Sequence, residues 1–150
     1  MQVLRKFLVG YDGSVQAERA LEFAIAIASQ TEGSEIHVGY VVQKPGGVPD
    51  PIPDELMESL RRTGRETLMN AERTVRKNLV EVAVHLEAGS PGEKLLELAG
   101  RLKPDLVVLG TLQHSASEKL LGTVSSYFLK SREFPLLIVP PAGQPAASRM

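Results

Sequence analysis

With 150 residues, 43% of them hydrophobic and 23% charged, and a formal net charge of −1, the chain has the size and balance of one soluble globular domain. That charge provides no field to draw in nucleic acid, and no stretch approaches the roughly 20 apolar residues that cross a bilayer, so neither nucleic-acid nor membrane partners are expected. The absence of cysteine excludes disulfides, thiolate metal sites and cysteine nucleophiles together, and with no signal-peptide pattern at the N-terminus a cytoplasmic location is expected.

In chain order, "VLRKFLVG" (3–10) predicts a strand ended by the turn-forming "YDGS". Ser14 is placed to cap a helix over 15–31, in which Ala17, Ala20, Leu21, Ala24, Ile25 and Ala28 recur at helical spacing. "EIHVGYVV" (35–42) is the second strand. The prolines and glycines of "QKPGGVPDPIPD" can continue neither a strand nor a helix. An amphipathic helix over about 54–78 follows, marked by Leu56, Leu60, Leu68, Ala71, Val75 and Leu79.

"EVAVHLEAG" (81–89) alternates as a strand should. In "SPGEKLLELAGRLKP", Ser90 is the expected N-cap, Pro91 suits the first helical position, Glu93 completes a capping box and Pro104 stops the helix. "DLVVLG" (105–110) is apolar nearly throughout, the pattern of a parallel strand buried on both faces. A loop over 110–122 leads into a helix ending near Arg132. "FPLLIVPP" (134–141) supplies the last strand, so a single domain over 1–140 is expected, with 141–150 as a disordered tail. Five strands separated by helices predict an α/β fold with a parallel sheet and right-handed crossovers. Ligands in such sheets bind beyond the carboxyl ends of the strands, here at loops 10–14, 42–53, 88–91 and 110–122.

Most catalytic readings fail on spacing. His37 and His85 lie in strands, where a lone histidine is structural or exposed more often than a ligand. His114 has no partner at metal-ligand spacing, and no metal-binding motif is present. Ser115 is adjacent to His114, which does not make a triad, and "G-x-S-x-G", "GxxxxGK[ST]" and an early "GxGxxG" are all absent. With no general base evident beyond His114, efficient catalysis is not expected. Asp12 reads either as a turn aspartate bonding nearby amides or as a carboxylate that accepts bonds from a ribose or the edge of a base. Gly110 closes a buried strand. Gly122, Thr123, Val124 and Ser125 open a helix whose free amides and hydroxyls suit an anion, although an ordinary strand-to-helix connection has the same composition.

Taken together, "YDGS" after the first strand, "LEAGSPGEKLLELAGRLKPDLVVLGT", "LLGTVSS" and "FPLLIVP" resemble the universal stress protein family over roughly residues 3–140. No single motif decides this; their order and spacing do. The resemblance implies a five-stranded parallel sheet of order 3-2-1-4-5 with helices on both faces, Rossmann-like and akin to the adenine nucleotide alpha hydrolases. It further implies a stress-response regulatory module, usually a homodimer (here through the final strand, 135–140), with ATP or another adenine nucleotide as the ligand of many members.

The nucleotide-binding branch is similar to G-x2-G-x9-G-[ST]. Gly110 matches its first glycine and Gly122 with Thr123 its last pair. Asp12 matches the residue near the adenosine, Val41 falls where backbone meets adenine, and Val124 and Ser125 fall at the phosphate-contacting start of the helix. Two departures stand out: Gln113 takes the place of the second glycine, and the spacing to Gly122 is one residue short. Glycine is favoured where backbone must approach a phosphate closely, so these changes predict a degenerate site that binds ATP weakly or not at all. A "GxxQ" start also resembles the branch without nucleotide, for which the chain would be a nucleotide-independent dimeric interaction protein.

Overall fold

Phe7, Leu8 and Val9 are completely buried because strand β1 (Lys6–Gly10) lies at the centre of the sheet with helices on both faces. The computed structural model describes residues 3–111 and 123–142. After β1 come α1 (Val15–Ala28), β2 (Glu35–Val42), α2 (Asp54–Lys77), β3 (Glu81–Ala88), α3 (Pro91–Leu102), β4 (Leu106–Gly110), α4 (Thr123–Ser131) and β5 (Leu136–Val139). The strands run parallel in the order β3-β2-β1-β4-β5, as expected, with Phe7 opposite Ile36 on one side and Leu106 on the other.

Successive side chains of a strand point to opposite faces, so the sheet supports two cores. Phe7, Val9, Ile36, Val38 and Val108 pack under α1 and α2 against Leu21, Ala24, Leu68, Ala71 and Val75. Leu8, Val107 and Leu109 pack under α3 and α4 against Leu95, Leu98, Ala99 and Phe128. Each large apolar side chain removed from water in this way contributes about 1.5–3 kcal/mol.

Several boundaries depart from the sequence pattern for local reasons. Helix α1 stops at Ala28 rather than 31, because Gln30 and Thr31 bond back to Ile27 and Ala28 in a tightened final turn. The apolar stripe of α2 extends to Leu79 in the sequence pattern, yet the helix ends at Lys77. Leu79 takes a left-handed conformation (φ 60°) and is 95% exposed. Ser14 caps α1, its hydroxyl accepting from the Ala17 amide at 3.2 Å. Ser90 holds the N-cap position of α3 with Pro91 behind it, but its hydroxyl makes no capping bond, so the expected capping box is not formed. Lys103, left-handed at φ 52°, closes α3 before Pro104.

Residues 43–53 are mostly exposed and carry one turn bond, Val48 to Pro45 at 3.3 Å, and an ion pair between Lys44 and Asp50 at 2.9 Å. An exposed pair of this kind holds a loop weakly. The segment is therefore expected to behave as a mobile flap at the carboxyl edge, its amides exchanging with solvent at least about a hundredfold faster than those of β1. Protection across 43–53 equal to that of the central strands would refute this. Of the tail expected over 141–150, the part from 143 onward lies outside the described residues.

Candidate functional site: a cleft at the carboxyl ends of the strands

From β1 the chain crosses to β2 on one side, while β4 lies on the other, so the loops after β1 and β4 diverge and leave a crevice between them. A cleft of about 510 Å³ occupies this position. Its apolar lining comes from Val41 at the end of β2, Leu95 of α3, Leu109 of β4 and Val124 of α4. Its polar lining comes from Asp12, Ser14 and Gln16 after β1, Gln43 after β2, Ser90 before α3, Thr111 after β4 and Ser125 in α4. An apolar slot with a few convergent polar groups is the usual form of a small-molecule site.

The turn after β1 is built by Asp12 and Gly13. The Asp12 Oδ1 accepts from the Ser14 amide at 2.9 Å, and Gly13 supplies the left-handed φ of 82° that the turn requires. Asp12 thus has the turn role while also lining the cleft, exposed. Behind it, the buried Tyr11 hydroxyl donates to the Glu18 carboxylate. Burial first, and then that bond, push the Tyr11 pKa far above the ordinary tyrosine value, so the phenol stays a protonated donor that braces the turn against α1.

At the end of β4, Gly110 sits against the first turn of α1. A Cβ there would lie 2.5 Å from the Gln16 carbonyl oxygen and 2.7 Å from its carbon, so this close approach itself requires glycine. Beside it, Thr111 Oγ1 and Gln16 Oε1 are both buried with no hydrogen-bond partner among the described residues. Native proteins rarely leave such atoms unsatisfied, each costing about 1–3 kcal/mol, and the two line the same cleft.

The family model for universal stress proteins matches residues 4–140. The chain belongs to the universal stress protein family. A universal stress protein of Methanocaldococcus jannaschii is 30% identical over 139 residues, covering 90% of this chain and 81% of that one. Among solved structures, the universal stress protein UspA from Lactobacillus plantarum superposes with a TM-score of 0.78 at 20% identity, over 93% of this chain and 99% of its own. A universal stress protein family member from Arabidopsis thaliana, solved with AMP bound, gives 0.70 at 19% identity over 95% and 96%. At these identities the two structures speak to the fold.

Of the residues that the universal stress protein resemblance singles out, Asp12, Val41, Gly110, Val124 and Ser125 come together around the cleft, from the turn after β1 and from β2, β4 and α4. Ser125 is 2% exposed. Thr123 opens α4. Gln113 and Gly122 lie outside the described residues, as do His114 and Ser115. Sequence reasoning missed Gln16 and Thr111. Thr111 directly follows a matched glycine, and Gln16 sits in the first turn of the helix that Ser14 caps, which are the signals that could have found them. Among the described residues, no group of three or more histidine, aspartate or glutamate side chains is arranged to hold a metal ion, and no helix is long and apolar enough to cross a membrane. His37 and His85, read from sequence as lone residues, are hydrogen-bonded to each other on adjacent strands.

Proposed function

We propose that this universal stress protein is a regulatory module whose cleft takes an adenine nucleoside or nucleotide, holding the adenosine end and gripping the phosphates poorly. The observation that carries this reading is the pair of buried oxygens, Gln16 Oε1 and Thr111 Oγ1, which have no partner among the described residues and line a cleft at the switch point of the sheet. A ligand rich in hydroxyl and amino donors satisfies such atoms. Asp12 would accept from the ribose or base, and the backbone at Val41 would meet the adenine. Thr123 and Ser125, at the amino end of α4, would face the phosphates. The AMP bound by the Arabidopsis relative supports the choice of adenine chemistry. Gln113 in place of a glycine and the short spacing to Gly122 support a weakened phosphate grip.

Calorimetric titration with adenosine, AMP, ADP and ATP tests this. ATP is expected to bind with a Kd above about 100 µM, equivalent to less than about 5.5 kcal/mol, and adenosine to bind comparably. Low-micromolar ATP binding would overturn the degenerate site. No binding of any of the four, with no nucleotide carried through purification, would favour the nucleotide-independent interaction protein instead, a reading that Gln113 supports. Asp12→Ala should weaken adenosine and ATP alike by about tenfold, and Thr123→Ala should weaken ATP alone by about three- to tenfold, the range of one hydrogen bond. Equal losses for both ligands in both variants would remove these assignments.

We further propose a homodimer through β5. This strand is an edge of the sheet, and the Pro135 and Val139 carbonyls already accept from the amides of Val107 in β4 and Thr111 just after it. Alternation therefore leaves the backbone groups of Leu136 and Ile138 toward the open side. Twofold antiparallel pairing satisfies both copies at once and closes the assembly.

A further inference from the structure

We propose that His37 and His85 form an acid-sensitive latch between β2 and the edge strand β3, engaged while at least one imidazole is neutral and released when both are protonated. The register sets His37 opposite Ala83 and His85 opposite Gly39, so the two rings are diagonal neighbours on one face of the sheet. His37 Nδ1 lies 2.9 Å from His85 Nε2, with ring centroids 5.1 Å apart and planes inclined by 26°. On its other side, His37 Nε2 lies 3.1 Å from Glu35 Oε1. The carboxylate accepts, so Nε2 carries a proton.

The proton count follows from this chain of bonds. With both rings neutral, His37 Nδ1 is the acceptor and His85 Nε2 the donor. With one added proton, one ring is a cation whose facing N–H donates to the bare nitrogen of the ring that stays neutral. With two, both facing nitrogens carry hydrogen, no acceptor remains, and two cations face each other at contact distance. The bond tolerates one added proton and not a second.

The surrounding charges set the balance. On β1, Lys6 is 3.7 Å from Glu35 and also bonds the Leu102 carbonyl. On β2 stands Glu35 itself, with Glu81 of β3 opposite it in the register. Glu87 of β3 favours a charge on His85, while Arg101 of α3, 3.3 Å from Glu87, opposes it. Burial is the largest influence, followed by His37, and together they hold His85 below the usual histidine pKa despite Glu87. A group depressed in the folded state binds its proton more readily in the unfolded chain. Its contribution to stability is therefore complete above the ordinary histidine value and is lost as the pH falls through the folded value.

The position gives the latch consequences. Among the described residues, strand β3 pairs with β2 alone, and the two strands run on into Val41, Gln43, Ser90 and Pro91 of the cleft wall. None of this depends on what the cleft holds.

Thermal unfolding of the full chain between pH 7.5 and 5.5 tests the latch, comparing the unmodified protein with His85→Gln, which keeps a hydrogen-bond donor but cannot titrate, and with His114→Gln as a control. The unfolding constant of the unmodified protein should rise with acid more steeply than that of His85→Gln, by up to about tenfold per pH unit for one proton, and in step with that of His114→Gln. Parallel curves for the unmodified protein and His85→Gln would overturn the proposal. Should His85→Gln fail to fold, NMR titration of the unmodified protein decides. Two coupled steps, the second below the ordinary histidine range, support the latch, and two independent imidazoles titrating at the ordinary value refute it.

Discussion

Gly110→Ala should destabilise the ligand-free protein by about 2–3 kcal/mol, the upper part of the range for overpacking a closed site. For a domain of this size that corresponds to a fall in Tm of roughly 5–10 °C. The added methyl group would meet the Gln16 carbonyl group at 2.5 Å, and backbone in the first turn of α1 cannot swing aside as a side chain would. Relief requires α1 to lift from the end of β4, which also spreads Gln16 from Thr111 and opens the cleft. A glycine kept only for phosphate approach would lower ATP affinity when replaced and leave the ligand-free Tm unchanged. Gly100→Ala is the matched control. Gly100 is exposed within α3 with nothing inside 4 Å of an added Cβ, so the substitution should stabilise by about 0.5–1 kcal/mol through helix propensity. Chemical denaturation of both variants separates the outcomes, and an unchanged midpoint for Gly110→Ala would show that α1 accommodates the methyl group.

Ile138→Lys should convert the proposed dimer to monomer at tens of micromolar with little loss of fold. Leu137 and Leu136 pack against the two cores of the sheet, while among the described residues Ile138 joins neither. In a twofold pairing the new ammonium groups of two copies would lie close together across the junction, where like charges and lost apolar burial act in the same direction. Arg19 Nε donates to the Pro140 carbonyl at 2.8 Å and anchors the end of β5 to α1, so the strand should stay in place in the variant. Leu137→Lys is the contrasting case. Its side chain enters the core beneath α1, and its cost should appear as unfolding. Light scattering reads the first effect and thermal unfolding the second. A monomer before any substitution would end the dimer proposal.

Much of this architecture is legible in the sequence because local chemistry and periodicity decide it. The apolar runs at 7–9 and 106–109 announce strands buried on both faces. Ser14, Pro91 and Pro104 mark helix limits, and Asp12-Gly13 is a turn in any context that follows a strand. The alternation of strands and helices then constrains the sheet to be parallel and its loops to gather at one edge, which places Asp12, Val41 and Gly110 around a common cleft.

Other features arise only when distant segments meet. Leu79 fits the helical period and still leaves the helix, because a left-handed turn after Asn78 ends it first. Ser90 has the right neighbours for a capping box, but position alone did not secure the bond. Gln16 and Thr111 look ordinary until α1 settles on the end of β4, where their side-chain oxygens are buried with no partner among the described residues. His37 and His85 are 48 residues apart and each reads as an isolated strand histidine. Local patterns determined which segments become strands and helices and which of their faces turn inward, since those depend on steric and solvation preferences of neighbouring residues. Tertiary structure alone decided which side chains touch, because the register between β2 and β3 and the seating of α1 on β4 are set by the packing of both cores together, and no short stretch of sequence contains that information.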